Sequence, residues 1–211
     1  MLRWQRIEIS GGFLLLAAGL YYLDTQGGVL WAALAAALHE LGHYLVIRLF
    51  GGRVTLLRLT CVGAEMVLSA RRPLSLPGQL CAALAGPAVN LTVAFSGARL
   101  ADGERGYLFA GLNLALGLFN LLPAAQLDGG RALRCVLLLL GREESADRAV
   151  RAVSAGLALV LVAAGVFALG SGGNVTLLLT ALWLLSAAVL PGEGEKRKKR
   201  RRRRKICLHS R

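Results

Sequence analysis

Two histidines and a glutamate stand together inside an apolar stretch of the chain, in the order His39-Glu40-Leu41-Gly42-His43. Residues four apart on a helix project from the same face, so His39 and His43 can present two imidazoles to one metal ion. Glu40 follows His39 directly, and its carboxylate can reach a water bound to that ion. Ionisable groups at membrane depth cost about 2.5–3.5 kcal/mol each on insertion scales. The spacing predicts a metal site with a general base beside it; the alternative is two core histidines with an incidental glutamate.

A third ligand has to come from elsewhere, because a catalytic zinc usually takes three protein ligands and leaves the fourth position for water. Asp128 is the best candidate, since it follows a long apolar stretch and precedes Gly129-Gly130. We expect Pro123 to end or kink the preceding helix. The two glycines would then let the backbone turn tightly and carry the carboxylate back towards the histidines. Alone, Leu127-Asp128-Gly129-Gly130 could equally be a solvated turn.

The composition indicates that these residues belong to a membrane protein. Of the 211 residues, 55% are hydrophobic and 18% are charged, whereas soluble domains average about 25% charged residues. The formal net charge of +13 is unevenly placed, because residues 196–205 hold ten of the 25 basic residues. The four cysteines form no C-x-x-C pair, which excludes a cysteine-based zinc knuckle. We therefore predict a membrane domain over residues 1–190 and a polybasic tail over residues 191–211.

Several segments have the length and composition of membrane spans. Five of them approach the roughly 20 apolar residues that a span needs, at 28–49, 79–98, 107–123, 152–170 and 174–190. Residues 9–23 are a sixth and shorter candidate, and full crossing stays open for 9–23 and 107–123. Basic residues collect in alternate connections, which predicts six spans with both termini in the cytoplasm. The predicted fold class is an all-α polytopic membrane protein with about six transmembrane helices.

The connection between the second and third spans differs in kind from the others. Residues 54–68 are rich in strand-forming side chains, and Gly63-Ala64 could turn the chain. This pattern predicts a short β-hairpin or re-entrant segment near the site, at the cytoplasmic mouth. An amphipathic surface segment is the alternative.

The paired motifs resemble those of a known family. H-E-L-G-H at residues 39–43 and N-L-L-P-x-x-x-L-D-G-G at residues 120–130 are similar to motifs of the site-2 protease family (M50), which are intramembrane zinc metalloproteases. The compact layout most resembles the branch containing stage IV sporulation protein FB. The resemblance covers most of residues 28–135, including A-G-P-A-V-N at residues 85–90.

The resemblance implies roles for particular residues. One Zn²⁺ would be held by His39, His43 and Asp128, and Glu40 would be the general acid and base. Asn120 would help to hold the substrate or the site. For Asn90 two interpretations stay open, because an amide in a span often bonds across helices and need not serve the site.

Two departures from the family pattern limit what the resemblance implies. Gln126 stands where the family commonly has a proline two residues before the aspartate, so the local turn and any substrate contact there stay open. The sporulation branch often continues into a nucleotide-binding CBS domain, whereas this chain continues into a basic tail. Regulation by ATP is therefore not implied.

The implied activity is that of an enzyme, an intramembrane zinc endopeptidase that cuts a membrane-associated protein near the cytoplasmic face. A pro-sigma factor of sporulation is one candidate substrate, and the expected location is the bacterial plasma membrane. The alternative is a metal-binding membrane protein without proteolytic activity, either a silent relative or a transporter. A transporter would show more polar residues along several spans, and a silent relative usually lacks the acid or a ligand.

The partners expected from the sequence are a membrane-tethered protein substrate and regulatory membrane proteins. The basic tail is expected to lie on anionic lipid, where each basic residue near the surface contributes about 1 kcal/mol. Contact with nucleic acid is the less favoured use of the tail, since the rest of the chain carries little net charge.

Overall fold

The computed structural model describes residues 2–4, 7–25, 27–60, 63–69, 73–100, 103–172 and 175–189. The predicted polybasic tail lies outside these residues. The helices are α1 (Gly11–Leu23), α2 (Gly28–Leu49), α3 (Leu76–Leu100), α4 (Glu104–Leu121), α5 (Asp128–Leu139), α6 (Glu143–Gly170) and α7 (Thr176–Val189). The strands are β1 (Leu2–Trp4), β2 (Ile7–Ile9), β3 (Val54–Thr60) and β4 (Gly63–Leu68).

Three helices in the described part of the chain are long and apolar enough to cross a membrane, namely α2, α3 and α6 with 22, 25 and 28 residues. At 1.5 Å per residue the shortest of them measures about 33 Å, against a hydrocarbon core of about 30 Å. Helix α4 has 18 residues, α7 has 14 and α5 has 12. Length and composition thus support three crossings, and six remain a prediction.

The beginning of the chain differs from the prediction. Ile9 lies in β2 and not in a helix, and α1 starts at Gly11. Ser10 sets this start, because its hydroxyl accepts a hydrogen bond from the backbone N–H of Phe13 at 3.1 Å, as an N-cap does. Helix α1 therefore has only 13 residues, about 20 Å, which is shorter than the hydrocarbon core.

A four-stranded sheet in the order β1-β2-β3-β4 makes the all-α prediction incomplete. The outer pairs are antiparallel and the central pair, β2 with β3, is parallel. The hairpin predicted within residues 54–68 is confirmed as β3 and β4. The predicted turn at Gly63-Ala64 is wrong, because both residues lie in β4, where Gly63 pairs with Thr60. The connecting residues 61 and 62 lie outside the described part of the chain.

Helix α3 is the centre of the helical packing, in contact with α2, α4 and α5. Its buried positions are mostly small, including Ala82, Ala83, Ala85 and Gly86. Small side chains let neighbouring helix backbones approach closely, which is how helices associate where lipid removes most of the hydrophobic drive. Helices α6 and α7 pack on each other and reach the rest of the bundle mainly through α5.

The sheet lies against the carboxyl-terminal end of α2. Ile47 of α2 and Leu74, just before α3, are buried there, with Val54 of β3 and Met66 of β4 packed against them. The hairpin is therefore attached to the same helix that carries the two histidines.

Candidate metal centre

Helix α2 brings its two histidines to one buried face. His39 and His43 are 6% and 9% exposed, and their Nε2 atoms are 3.0 Å apart. Glycine and small residues share this face, where α2 meets α3. The two residues, four apart on α2, therefore lie on one face of the helix as predicted, and their Nε2 atoms converge on one point.

Asp128 reaches the same point from a different helix. Its Oδ2 lies 3.0 Å from Nε2 of His39 and 3.1 Å from Nε2 of His43. Asp128 is the first residue of α5 and is 5% exposed. The structure thus brings together the three residues that the sequence suggested as ligands, as the one such group of metal-binding side chains among the described residues.

The turn that brings Asp128 to the histidines is not at Gly129-Gly130, as predicted. Gly129 and Gly130 do not form the turn; they lie in the first turn of α5. The chain reverses before them, after α4 ends at Leu121, with Leu122 in an extended conformation as expected for a residue preceding a proline.

The two glycines serve close packing instead. A Cβ on Gly129 would lie 2.1 Å from the carbonyl oxygen of Leu121, and one on Gly130 would lie 2.0 Å from that of Ala124. Side chains at these positions would push α5 away from the preceding segment and move Asp128 with it.

The hydrogen bonds made by the Nδ1 atoms orient both imidazoles as metal ligands. Nδ1 of His43 lies 2.6 Å from the carbonyl oxygen of Ala82, which can only accept, so this nitrogen carries the proton. Nδ1 of His39 likewise contacts Oδ1 of Asn90 at 2.5 Å. Both Nε2 atoms are then left with lone pairs that point at Asp128, and such oriented imidazoles are typical of metal sites.

Three lone-pair atoms this close repel one another unless they share a cation. Two ligands at 2.0–2.1 Å from a tetrahedral ion are roughly 3.3 Å apart. The separations of 3.0 to 3.1 Å among the Nε2 atoms and Asp128 Oδ2 are close to that value. The donor set therefore suits a small divalent cation with room for a further ligand.

Gly86 of α3 lies directly in front of the ligand atoms. A Cβ at this position would lie 2.3 Å from Nε2 of His43 and 2.8 Å from Nε2 of His39. Any side chain there would occupy the space of the ion. The sequence motif contained this glycine, but the spacing alone gave no reason for it.

Asp128 is held in its anionic form. Burial acts to raise the pKa of its carboxyl group, but when the imidazoles of His39 and His43 are protonated their hydrogen bonds to the carboxylate outweigh burial and bring the pKa below its ordinary value. Arg131 acts in the same direction, since its guanidinium lies 3.6 Å from Oδ1 of Asp128. Asp128 thus offers a charged oxygen to a cation.

Glu40 lies beside this cluster without being part of it. Its half-buried carboxylate is close enough to interact electrostatically with His43, His39 and Asp128, but it is not among the converging ligand atoms. This placement suits a base that acts on a water at the ion rather than a ligand.

The two asparagines suggested by the sequence lie in different environments. Asn90 is 0% exposed and bonds to His39, to the carbonyl oxygen of Ala35 and to Asn113. It therefore joins helices and supports a ligand at once, so the two open interpretations are compatible. Asn120 donates to the carbonyl oxygen of Leu116 in its own helix at 3.0 Å, and its role at the site stays a prediction.

Sequence reasoning missed Asn113 of α4, which is 0% exposed and bonded to Asn90 at 2.7 Å. The available signal was an amide within an apolar segment, where an unpaired polar group would be costly. Gln126 lies in the loop before α5, and its Oε1 is buried without a hydrogen-bond partner among the described residues.

Comparison with known proteins gives consistent matches. Residues 105–163 match the family model for Peptidase family M50. The Mycobacterium tuberculosis protein Rip3, named as a zinc metalloprotease, is 34% identical over 173 residues, which cover 75% of this chain and 43% of Rip3. A zinc metalloprotease of Methanocaldococcus jannaschii is 27% identical over 190 residues, covering 83% of this chain and 53% of that protein. The chain thus spans about half the length of these relatives.

The fold also matches a solved structure. The site-2 protease from Methanocaldococcus jannaschii superposes with a TM-score of 0.65 at 24% sequence identity, over 92% of this chain and 93% of that chain. Similarity in sequence therefore supports a relationship of this chain to peptidase family M50. The fold of this membrane protein is that of a site-2 protease.

Proposed function

We propose that this chain is an intramembrane zinc endopeptidase that cuts a membrane-tethered protein near the cytoplasmic face. The observation that carries the proposal is the convergence of Asp128 of α5 on His39 and His43 of α2, a helix long enough to cross a membrane, with Glu40 beside them. Zinc is the proposed ion because imidazole and carboxylate ligands suit it and because the relatives compared above are named zinc metalloproteases.

The proposed chemistry divides the work among these residues. Bound zinc would supply a Lewis acid that polarises the scissile carbonyl and brings the pKa of water towards about 7. His39, His43 and Asp128 would hold it, while the carboxylate of Glu40 accepts a proton from the attacking water. Glu40 would then return that proton to the leaving amine, so the carboxylate ends the cycle as it began.

Substrate presentation is assigned to the sheet. A transmembrane substrate arrives as a helix and has to unwind before a peptide bond can reach the ligands. Among the described strands β4 is at an edge of the sheet, so the backbone groups on its outer side could pair with an unwound segment. Proline substitutions along β4 should reduce cleavage if this pairing operates, and unchanged cleavage would argue against it.

Six spans with both termini in the cytoplasm are the topology we propose for a bacterial plasma membrane. The alternating distribution of arginine supports it. The polybasic tail would bind anionic lipid, and membrane proteins that regulate cleavage are proposed as further partners. The resemblance to the sporulation branch makes a pro-sigma factor one candidate substrate.

The test is co-expression with membrane-tethered candidate substrates, a pro-sigma factor among them, of the native chain and of Glu40→Gln. We expect product from the native chain and at least a hundredfold less from Glu40→Gln, with zinc content unchanged, because only the general base is removed. The matched control is Glu144→Gln, an exposed acid in the first turn of α6. Equal product from native and Glu40→Gln would contradict the proposal, and zinc binding without product from any substrate would favour a silent relative.

A further inference from the structure

We propose that Asn113 is a positioning residue that fixes the tautomer of His39 through Asn90. The proposal rests on the metal centre described above and assigns a role to α4, which supplies none of the three ligand atoms. It follows from which atoms in a chain of buried hydrogen bonds can donate and which can only accept.

The series of hydrogen bonds begins at a backbone carbonyl in α4. The oxygen of Phe109 can only accept, so the side-chain atom of Asn113 that lies 2.9 Å from it is Nδ2. The other atom of the same amide, Oδ1, must therefore face Asn90, whose Nδ2 lies 2.7 Å away. The orientation of the Asn113 amide is thus set by its own helix.

Asn90 receives its orientation from two acceptors. Its Nδ2 donates to Oδ1 of Asn113 and, at 3.1 Å, to the carbonyl oxygen of Ala35 in α2. Both amide protons are used, so Oδ1 of Asn90 faces Nδ1 of His39 as an acceptor. Nδ1 of His39 has to donate, and Nε2 keeps the lone pair that a metal requires.

The second acceptor matters because an amide can be turned over. A flipped Asn90 would place its oxygen against both the Ala35 carbonyl and Oδ1 of Asn113, which are two repulsive contacts in a site with no exposed surface. Without Asn113 only one of these contacts opposes the flip. The flipped amide would donate to Nδ1 of His39 and move the imidazole proton to Nε2, where it blocks the metal.

His43 provides an internal comparison. Its Nδ1 donates directly to the carbonyl oxygen of Ala82, with no amide side chain between. A backbone carbonyl cannot be turned over in this way, so the tautomer of His43 should not depend on Asn113. Loss of the Asn113 amide should therefore affect one histidine and spare the other.

The experiment uses the full chain labelled with [¹⁵N]histidine, metal-free and in mildly alkaline buffer, where free imidazole is neutral. The chain has three histidines, so the signals are few. We expect Asn113→Leu to shift the His39 signals towards the tautomer protonated on Nε2, to leave those of His43 unchanged, and to weaken zinc binding about tenfold, as loss of a group behind a ligand does. Asn113→Asp should restore the native spectrum, since a carboxyl oxygen can accept from Nδ2 of Asn90 as the amide oxygen of Asn113 does.

A thermodynamic cycle covers the case in which Asn113→Leu does not fold. Asn113→Ala should weaken zinc binding in the native background and have no further effect when Asn90 is already alanine, because Asn113 acts only through Asn90. Independent effects of the two alanine substitutions would overturn the proposal. An unchanged His39 spectrum, or equal changes in His39 and His43, would overturn it as well. None of these readouts requires peptidase activity, so a failure of proteolysis would leave the proposal standing.

Discussion

Two parts of the molecule are built on different principles. The metal-site half, helices α2 to α5, is held around the ligands by directional hydrogen bonds that buried side chains make to one another and to backbone carbonyls. The C-terminal hairpin, helices α6 and α7, is held by apolar contacts such as those of Ala158 and Leu184. Directional bonds fix where an atom lies, whereas apolar packing mainly fixes how much surface is buried.

Besides the packing of α5 on α6, the two parts meet at the loop that precedes Asp128. Ala124 and Leu127 of this loop are buried against the hairpin. Polar contacts join them as well, because Ser154 Oγ of α6 accepts a hydrogen bond from the backbone N–H of Ala125 at 2.9 Å and lies 3.5 Å from the carbonyl oxygen of Pro123. The position of the Asp128 ligand therefore depends on both halves.

The largest expected effect comes from adding one methyl group to the metal-site half. Gly86→Ala should abolish measurable zinc binding, because its Cβ would lie closer to Nε2 of both histidines than any real contact allows. Gly156→Ala in α6 is the matched control, since in the described part of the chain no atom beyond its own stretch of helix lies within 4 Å of the added Cβ. The control should bind zinc normally and unfold no more easily, because alanine is the better helix former. Zinc titration of both variants decides, and normal binding by Gly86→Ala would contradict the site geometry.

A smaller effect is expected at the contact between the two halves. Ser154→Ala removes the hydrogen bond to Ala125 and should weaken zinc binding about tenfold, by loosening the loop that carries Asp128. Ser96→Ala is the control, because Ser96 is exposed and its hydroxyl bonds to carbonyl oxygens of its own helix. Competition with a chelator measures both affinities. Equal affinities for the two variants would show that the loop is held by apolar packing alone.

The smallest effect on zinc is expected inside the C-terminal hairpin. A Cβ on Gly165 would lie 2.9 Å from Cα of Leu178, so Gly165→Ala should force α6 and α7 apart and cost about 1–3 kcal/mol of stability. Zinc affinity should stay native, because Gly165 faces Leu178 of α7 and not the loop that carries Asp128. Thermal unfolding in detergent measures the stability of Gly165→Ala, and zinc titration measures its affinity. A loss of zinc affinity together with the loss of stability would show that the two parts of the molecule are not independent.

Much of the metal-site half could be predicted from local patterns. The span predicted at residues 28–49 coincides with α2, and the four-residue spacing placed both histidines on one face. Pro123 was expected to end or kink the preceding helix, and α4 ends at Leu121, two residues before the end of the span predicted at 107–123. These features depend on helical periodicity and proline chemistry, which act within a few residues.

The features that sequence reasoning missed depend on distant partners. Strand β2 has three residues and exists because it pairs with β3, about fifty positions later, so no periodicity marks it. The roles of Asn113 and Gly86 depend on which face of a neighbouring helix they meet. The turn before Asp128 was misplaced because the two glycines indicate a sharp bend as readily as the close helix packing they serve.

The central claim is that two imidazoles of α2 and the carboxylate of Asp128 hold one zinc ion. X-ray absorption at the zinc edge, with zinc content, tests it on the purified native chain and on Asp128→Ala. We predict one zinc per native chain with two imidazole ligands and an oxygen-containing remainder, and loss or marked weakening of zinc binding in Asp128→Ala. The account would be contradicted by a zinc coordination shell without two imidazoles in the native protein. Unchanged zinc binding by Asp128→Ala would contradict it as well.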